Sequence, residues 1–483
     1  MGEGGSSPRR RAWGIALGVL SLAGVLIVPP PDGLDPAGWR VAGVAVLMAT
    51  WWLTEALPFP VTALMPIIMF PVLGIAPLGT ATAPYGDPIV FLFLGGFIVG
   101  IAIRRWGLHR RLGLRVVALF GATPRRVIGG LLLATAVLSM WISNSAAAIA
   151  MLPVAVSILD LFERRGEAGE HRAEGFATAL MLAVAYGASI GGLATIIGTP
   201  PNALLVGYLG REHGIDVGFA RWMLLGLPLV AIMLVGTWII LLRCHAIDRS
   251  RSTKLGGRIA DELTQLGAPR TPEIRVAIVF TVTVLAWMLR PLYGALLPGV
   301  HDAVIAVMGA MLLFILPAGD GSSRRLIVWA DLKDMPWGVL ILFGGGLALA
   351  DAINSSGLST WIAQGTGAVA HWPVLALVVG ATLMMIFLTE LTSNTASAAL
   401  FLPIGGTFAI GLGLDPMTLT VPLALAASCG FMLPVGTPPN AVAFSTGRIT
   451  MAQMARAGFW VNLLASAVIV GIGYPLSRWL FAT

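Results

Sequence analysis

The hexapeptide GTPPNA occurs twice in this chain, at Gly198–Ala203 and again at Gly436–Ala441. Each copy lies within a long apolar stretch, yet paired prolines cannot continue a helix and they push the preceding residue out of the helical region. The sequence therefore predicts two helices that unwind in mid-membrane, where irregular backbone has to line protein or a wet cavity. For either copy alone, the alternative is a proline kink that neighbouring helices repair.

The composition is that of a protein dissolved mostly in lipid. Of its 483 residues, 57% are hydrophobic and 11% are charged, whereas a soluble domain has about 25% charged residues. The mean hydropathy is +0.88, and apolar runs near the roughly 20 residues that cross a bilayer recur from end to end. We expect an all-α polytopic membrane protein rather than a β-barrel, whose short alternating segments are missing from the sequence.

Charge and cysteine content narrow the class further. The net charge of +7 favours basic cytoplasmic loops over nucleic-acid binding. The two cysteines, Cys244 and Cys429, form no CxxC pair, which predicts neither a disulfide framework nor a zinc site. Three arginines at 9–11 precede the first apolar run. No clear cleavage site follows that run, so a retained helix is favoured over a signal peptide.

The hydropathy pattern predicts eleven membrane spans and two re-entrant hairpins. With the N-terminus in the cytoplasm, 25 of the 30 Lys and Arg residues lie inside and 5 outside, as the positive-inside rule requires. Counting either hairpin as a single crossing would spoil this division. We therefore predict a multi-pass protein of the cell (inner) membrane. The spans are 12–29, 39–57, 60–76, 86–103, 176–208, 219–242, 273–290, 299–317, 338–353, 418–446 and 458–480, and the hairpins are 127–161 and 373–412.

The two halves of the chain repeat each other. A shift of 250 residues aligns the motif Gly95-Gly96 with Gly345-Gly346, and a shift of 238 aligns the two GTPPNA copies. A basic loop precedes the first break, whereas Arg448 and Arg456 follow the second, so the repeats cross the membrane in opposite directions. Inverted repeats with broken helices are typical of secondary transporters that bind substrate near the midplane.

The repeat suggests a division of the chain into five parts. Residues 1–85 are N-terminal scaffold helices, and 86–210 form a first core with a hairpin and a broken helix. Residues 211–335 are connecting scaffold helices, 336–446 form the second core, and 447–483 are a C-terminal helix.

A second motif marks the centre of each hairpin, SMWISNSAAA (139–148) in the first and TELTSNTASA (389–398) in the second. Asn and Ser cap helix starts, and their side chains offer hydrogen-bond donors and acceptors without charge. A further hydroxyl lies four residues before each central Ser, at Ser139 and Thr389. The symmetric pair suggests oxygen ligands for a small hard cation such as Na⁺, with ordinary capping of a buried turn as the alternative.

These motifs together resemble the divalent anion/sodium symporter (DASS) family of di- and tricarboxylate and sulfate transporters. The resemblance covers most of the chain, from WWLTEALPFPVTALMPIIMFPVLGI (51–75) through both hairpin tips to SCGFMLPVGTPPNAV (428–442). It implies an eleven-span protomer with a scaffold part that forms a homodimer and a transport part that moves as an elevator.

The resemblance also implies the site residues. The first sodium site would use Ser139, Ser143, Asn144 and the Gly198 carbonyl, and the second would use Thr389, Ser393, Asn394 and the Gly436 carbonyl. The substrate carboxylates would meet Asn144, Ser145, Asn394 and Thr395, near Thr199-Pro200 and Thr437-Pro438. The first tip is SNS where the family pattern is SNT, so Ser145 lacks a methyl group and sulfate stays open as a substrate.

We expect sodium-coupled symport of a C4 dicarboxylate such as succinate, malate or fumarate. None of the implied site residues is Lys or Arg, and a dianion without counter-charge is unfavourable in a low-dielectric site, so binding should depend on co-bound Na⁺. Sodium-independent dicarboxylate exchange, a sulfate or citrate carrier of the same fold, and an arsenite-type pump subunit of a related fold are the alternatives. The sequence has no HExxH motif and no charged pore rings, which disfavours an enzyme and a channel.

Charge is unfavourable within the membrane and marks functional candidates. Glu55, Asp351 and Glu390, which fall within predicted spans or hairpins, are such candidates. For Glu390 a structural hydrogen bond that braces the hairpin is favoured over direct ion binding. Glu55 is expected near the inner end of its span, at the interface.

Overall fold

The computed structural model describes residues 8–120, 123–163, 170–245, 247 and 263–481. Within these ranges the chain is helical, and its only β-structure is an isolated bridge between Pro317 and Arg325. The helices are α1 Pro8–Ile27, α2 Pro36–Thr54, α3 Phe59–Thr62, α4 Met65–Val72, α5 Leu78–Thr82, α6 Pro88–Arg105, α7 Leu108–Phe120, α8 Pro124–Ser139, α9 Asn144–Glu163, α10 Glu170–Gly192, α11 Pro200–His213, α12 Phe219–Cys244, α13 Thr271–Tyr293, α14 Asp302–Ile315, α15 Trp337–Ser355, α16 Leu358–Gln364, α17 Val374–Thr389, α18 Asn394–Gly411, α19 Met417–Ala427, α20 Pro438–Phe444, α21 Met451–Val468 and α22 Tyr474–Phe481.

Six helical segments of the described chain are long and apolar enough to cross a membrane. They cover Leu78–Arg105, Glu174–Gly192, Phe219–Cys244, Thr271–Tyr293, Trp337–Ser355 and Met451–Phe481. Shorter apolar helices occupy the predicted spans 12–29, 60–76, 299–317 and 418–446, and α2 covers most of 39–57. The all-helical, many-helix membrane fold is thereby confirmed, and the total of eleven crossings stays a prediction.

Both hairpins and both broken helices form where the sequence predicts them. Antiparallel partners α8 and α9 meet at a turn over 140–143, and α17 and α18 meet at 390–393. The first broken helix stops at Gly192 and resumes at Pro200, and the second stops at Ala427 and resumes at Pro438. In each case the resumed helix has proline at its first position, where a missing N–H leaves no bond unmade.

The two repeats also pack alike. In the first, α10 packs against α8 and α9, and in the second, α19 packs against α17 and α18. The half-helix after each break crosses to the other repeat, because α11 packs on α18 while α20 packs on α9. Each break is therefore built between both hairpins.

Two segments interpreted as connections are helical instead. Helix α7 lies within 104–126, and α16 lies at the equivalent place in the second repeat. Along α7, Leu108, Leu114 and Val117 are buried while Arg115 is exposed, which is the one-sided pattern of an amphipathic surface helix. Because of its arginines, this segment is too polar to be predicted as a membrane span.

Glycines bring α6 and α15 into backbone contact with the outer helices. A Cβ on Gly95 would lie 2.5 Å from the Ala306 carbonyl carbon of α14, and one on Gly345 would collide with the carbonyl oxygen of Ala63, just after α3. On their other faces, Gly96 contacts Ile197 in the first break and Gly346 contacts Ala399 of α18. Both helices therefore lie between the outer helices and the core of hairpins and breaks.

Candidate functional site

The first hairpin tip gathers oxygen atoms from three elements. Ser139 ends α8 and Asn144 begins α9. The Ser139 Oγ lies 2.7 Å from the Asn144 Oδ1 and 2.6 Å from the carbonyl oxygen of Ala188 on α10. This terminal atom of the Asn144 amide also lies 3.1 Å from the Gly198 carbonyl oxygen and 3.2 Å from the Ala188 carbonyl oxygen. Of the implied first sodium ligands, Ser139, Asn144 and Gly198 are thus brought together, and Ala188 joins them.

This arrangement has the chemistry of a cation site. With Oδ1 turned inwards, the Asn144 amide faces only other acceptors, and with Nδ2 turned inwards it donates to Ser139, Gly198 and Ala188. The inward oxygen completes a set of uncharged oxygen ligands suited to Na⁺. The inward nitrogen satisfies the same oxygens through hydrogen bonds.

The second tip repeats the core of this arrangement. Thr389 ends α17 and Asn394 begins α18. The Thr389 Oγ1 lies 2.6 Å from the Asn394 Oδ1 and 2.9 Å from the Ala427 carbonyl oxygen at the end of α19. Gly436, the remaining implied carbonyl ligand here, lies beside Glu390, whose Oε2 would be 3.0 Å from a Cβ at that position.

The other tip residues divide into caps and free hydroxyls. The Ser143 and Ser393 Oγ atoms accept from the Ala146 and Ala396 N–H groups at 3.4 and 3.5 Å, so the capping interpretation applies to both serines. The next hydroxyls, on Ser145 and Thr395, are half-buried. No hydrogen bond joins either of them to another residue in the described ranges. They lie in the first turns of α9 and α18, where unpaired N–H groups favour anions.

The threonines that immediately precede the two resumed helices have nearly the same backbone conformation. Thr199 has φ −144° and ψ 141°, and Thr437 has φ −142° and ψ 148°. Their hydroxyls are used internally, because the Thr199 Oγ1 is 3.2 Å from the Ser428 Oγ and the Thr437 Oγ1 accepts from the Asn440 N–H at 3.3 Å. Of the adjoining prolines, Pro200 is half-buried and Pro438 is exposed.

Two asparagines that the sequence analysis missed hold the breaks in shape. The Asn202 Nδ2 donates to the carbonyl oxygens of Gly192 (3.1 Å) and Thr195 (2.9 Å). The Asn440 Nδ2 donates to those of Gly430 (3.1 Å) and Leu433 (3.0 Å) in the same pattern. Both side chains are fully buried. The signal was present as the fifth residue of each GTPPN motif.

Glu390 braces the second break. Its buried carboxylate accepts from three consecutive backbone N–H groups, those of Phe431 (2.6 Å), Met432 (2.9 Å) and Leu433 (3.0 Å), and from the Asn462 Nδ2 (2.8 Å). The favoured interpretation, a structural hydrogen bond, fits this geometry, although the group braced is the break rather than the hairpin. At the equivalent place in the first repeat, the Thr195 Oγ1 donates to the Met140 carbonyl oxygen at 2.6 Å.

The other two acidic candidates lie at helix ends. Glu55 follows the last residue of α2 with φ 52°, the left-handed conformation in which helices commonly stop. Asp351 pairs with Arg211 of α11, whose Nε lies 2.6 and 2.8 Å from its two carboxylate oxygens. Arg211 also lies 3.7 Å from Asp87 at the start of α6. This ion cluster joins α11 to α15 and α6.

Comparisons with known proteins agree with the architecture. The family described as "Sodium:sulfate symporter transmembrane region" matches residues 9–483. A sodium-dependent dicarboxylate transporter, SdcS, of Staphylococcus saprophyticus is 41% identical over 471 residues, covering 96% of this chain and 91% of the relative. A protein of the same name from Staphylococcus aureus (strain USA300) is 40% identical over 469 residues, covering 95% and 90%.

A solved structure matches at the level of the fold. The crystal structure of the Alcanivorax borkumensis YdaH transporter, which is described as having an unusual topology, covers 97% of this chain and is itself covered to 98%. The TM-score is 0.50 and the sequence identity is 16%.

Proposed function

Since the chain belongs to the sodium:sulfate symporter family, we propose that it is a secondary active transporter that couples entry of a C4 dicarboxylate, such as succinate, malate or fumarate, to Na⁺. Two relatives at 40–41% identity are named sodium-dependent dicarboxylate transporters. The family is one of membrane transporters rather than enzymes, and the many apolar helices fit a multi-pass protein.

One observation carries the proposal, namely the duplicated set of uncharged oxygens at the hairpin tips. Each tip places an asparagine amide and a backbone carbonyl within 2.6–2.9 Å of one hydroxyl. Two such sets suit two small hard cations. We assign the first to Ser139, Asn144, Gly198 and Ala188, and the second to Thr389, Asn394 and Ala427, with Ser143, Ser393 and Gly436 as further ligands once the ions are bound.

The dianion would bind between uncharged groups. We propose that the Ser145 and Thr395 hydroxyls, the Asn144 and Asn394 amides and the N-terminal turns of α9 and α18 meet its carboxylates near the Thr199-Pro200 and Thr437-Pro438 turns. These groups supply hydrogen bonds but no full positive charge. Bound Na⁺ supplies the missing counter-charge, so affinity for the dianion should rise with Na⁺ concentration.

We further propose that the protein works as an elevator within a homodimer, with a cytoplasmic N-terminus. The hairpins and broken helices would form the moving part. We assign α6 and α15 to the scaffold, although the repeat alone placed them in the cores, because Gly95 and Gly345 fix them to the outer helices. Light scattering in detergent tests the dimer, and labelling of Ser323→Cys and Gln364→Cys with an impermeant maleimide in intact cells tests the orientation.

The transport proposal is tested by radiolabelled succinate uptake into proteoliposomes of the purified protein. An inward Na⁺ gradient is compared with an equal choline gradient, with no substrate inside. We expect succinate to accumulate with the Na⁺ gradient and not with the choline gradient. We expect Asn144→Ala and Asn394→Ala to abolish this accumulation, although both variants still assemble as the wild type does.

Other outcomes point to the alternatives. Uptake that ignores Na⁺ but requires unlabelled succinate inside would identify an exchanger. No succinate uptake by a folded preparation would direct the assay to sulfate and citrate, with Ser145 as the first position to change. Transport retained in either asparagine variant would remove the proposed sites.

A further inference from the structure

A cavity of about 390 Å³ lies between α7 and α13, and none of the hairpin-tip or break residues lines it. Apolar side chains dominate its walls, with Leu108 from α7 and Ile274, Ile278 and Val282 from α13. The polar groups among its lining residues are Arg111, Arg115, Glu273 and Thr281. The cavity is therefore an apolar space with charge at one side.

The α13 wall of this cavity belongs to an exposed apolar face of a helix that is long and apolar enough to cross a membrane. Ile274, Ile278 and Val282 are 47%, 56% and 53% exposed, and their spacing of four residues places them along one face of the helix. Only 22% of the most apolar window of α13 is buried within the protein. An acyl chain can therefore enter the cavity from the membrane without crossing water.

The charges at the cavity do not balance. Arg111 is buried, and its Nε donates to the Glu273 Oε2 at 2.8 Å while one of its terminal nitrogens donates to the Gly267 carbonyl oxygen at 2.8 Å. Arg115, one turn further along α7, also lines the cavity and is exposed. No ion pair or hydrogen bond joins Arg115 to any other residue in the part of the chain described. Among the residues that the structure describes, the cavity thus carries one unmatched positive charge.

We propose that this cavity binds an anionic phospholipid, with its phosphate on the Arg115 guanidinium and an acyl chain along Ile274, Ile278 and Val282. A guanidinium matches the oxygen geometry of a phosphate, and the apolar wall matches the chain. The segment 104–126 carries seven Lys and Arg residues, which places it on the cytoplasmic side by the positive-inside rule. Basic pockets on that side meet the leaflet in which anionic lipids bind such groups.

The lipid would connect the first hairpin to α13. Helix α7 packs closely on that hairpin, because a Cβ on Gly113 would lie 2.6 Å from the Met151 sulfur of α9 and one on Gly130 of α8 would lie 3.2 Å from the Phe120 Cβ. A phospholipid bound between α7 and α13 would therefore stabilise the hairpin against a helix outside the core.

The test is thermal unfolding of the full-length protein in detergent during titration with phosphatidylglycerol or phosphatidylcholine. We expect phosphatidylglycerol to raise the Tm of the wild type and phosphatidylcholine to do so much less. Arg115→Gln should weaken the apparent affinity for phosphatidylglycerol about tenfold, or about 1.4 kcal/mol. Ile278→Trp should weaken it as well, because the indole fills the cavity while the charge remains.

Arg126→Gln is the matched control, since Arg126 is exposed on α8 and does not line the cavity. It should respond as the wild type does. Equal responses of Arg115→Gln and Arg126→Gln would overturn the proposal, as would equal stabilisation by the two lipids or full stabilisation by inorganic phosphate alone. Binding is measured here without transport, so failure of this proposal leaves the symport proposal standing, and the reverse holds too.

Discussion

Gly192 and Gly430 are equivalent under the shift of 238 residues, with Gly192 at the end of α10 and Gly430 just after α19, yet a side chain would meet different surroundings at each. A Cβ on Gly192 would lie 2.6 Å from the Asn144 Oδ1, whereas the nearest atom to a Cβ on Gly430 is the Thr389 carbonyl oxygen at 3.4 Å. The first contact is a collision and the second is ordinary packing. Glycine is therefore required at 192, where a side chain would displace the Asn144 amide, but not at 430.

We expect Gly192→Ala to reduce sodium-driven uptake at least about fivefold, since overpacking of about 1–3 kcal/mol would fall on the Asn144 amide. Gly430→Ala is the control and should retain most activity. The measurement is the initial uptake rate against Na⁺ concentration in proteoliposomes. Equal losses in both variants would show that the two breaks tolerate side chains alike and that the Asn144 contact does not matter.

Asn202 and Asn440 provide the second prediction at the scale of single residues. Removing either amide leaves two loop carbonyls without their donor and loosens the backbone that presents Gly198 or Gly436. We expect Asn202→Ala and Asn440→Ala to raise the Na⁺ concentration for half-maximal uptake about fivefold, as loss of about 1 kcal/mol implies. Asp should not substitute, because an ionised carboxylate cannot donate.

Thr283→Ala serves as the control for a merely structural effect. Thr283 is buried on α13, where its Oγ1 donates to the Val279 carbonyl oxygen at 2.8 Å. This variant should lose stability without changing the Na⁺ dependence. If the asparagine variants change only the amount of folded protein, then Asn202 and Asn440 have no role in positioning the ligands.

The side chains that meet at the hairpin tips were easier to predict than the backbone groups that they contact. Ser139, Asn144, Thr389 and Asn394 stand out because polar residues are rare in apolar stretches. The contribution of Ala188 is a backbone carbonyl, which every residue has, so no sequence pattern marks it. The clamp by Asn202 reaches back ten residues along the chain, across the irregular segment 193–199, and only the folded loop shows which carbonyls it reaches.

At the scale of elements, the two breaks are alike in path but braced by different chemistry. The second break relies on the Glu390 carboxylate, which accepts from three successive N–H groups. At the equivalent place the first has one neutral hydrogen bond, from the Thr195 Oγ1 to the Met140 carbonyl oxygen. Buried N–H groups left without a partner each cost about 1–3 kcal/mol, so the second break depends far more on a single side chain.

We therefore expect Glu390→Ala to lower the free energy of unfolding by about 3 kcal/mol or more, and Thr195→Val by about 1 kcal/mol. Thermal and denaturant unfolding in the same detergent would measure both losses. Each variant is the control for the other, because the two substitutions affect equivalent loops of the same molecule. Similar losses for the two variants would mean that the N–H groups of 431–433 find other partners once the carboxylate is gone.

Helix boundaries were predictable where chemistry forces them. Prolines set the starts of α11 and α20, and asparagines after serine set the starts of α9 and α18. Helices α7 and α16 escaped prediction, because the arginines of α7 and the length of α16, only 7 residues, disqualify them as spans. The shift of 250 residues that relates α8 to α17 also relates Leu108 to Leu358, the first residues of these two helices. The repeat therefore indicates that the two segments have equivalent structures, which hydropathy alone does not.

At the scale of the whole molecule, the repeat determines which parts pack together. Since α11 lies on α18 and α20 lies on α9, each half-helix is fixed to the opposite hairpin, and the two breaks form one unit. This crossing of the repeats is a property of the fold, and sequence symmetry alone did not predict it. Such an interlocked unit moves more readily as a rigid body than by separation of its hairpins and half-helices. Rigid-body movement fits an elevator better than gating within the hairpins.

The ion cluster around Arg211 lies between that unit and α6 and α15. Arg211 belongs to α11, while its partners Asp351 and Asp87 belong to α15 and α6. If the unit slides past these two helices, the pairs must separate in every cycle, whereas the distance between Asp87 and Asp351 should change little. Chemical cross-linking of these three positions therefore distinguishes a moving core from a fixed one.

We expect a short bis-maleimide to arrest uptake in the double variants Asp87→Cys/Arg211→Cys and Arg211→Cys/Asp351→Cys, made after replacement of Cys244 and Cys429. The pair Asp87→Cys/Asp351→Cys joins two helices assigned to the scaffold, so it should cross-link with little loss of uptake. Each pair is compared with its own single variants to remove the effect of the lost charge. Unimpaired uptake in the cross-linked Asp87→Cys/Arg211→Cys protein would mean that α11 does not move relative to α6, because a covalent bridge of fixed length permits no slide, and the elevator would then have to give way to gating within the hairpins.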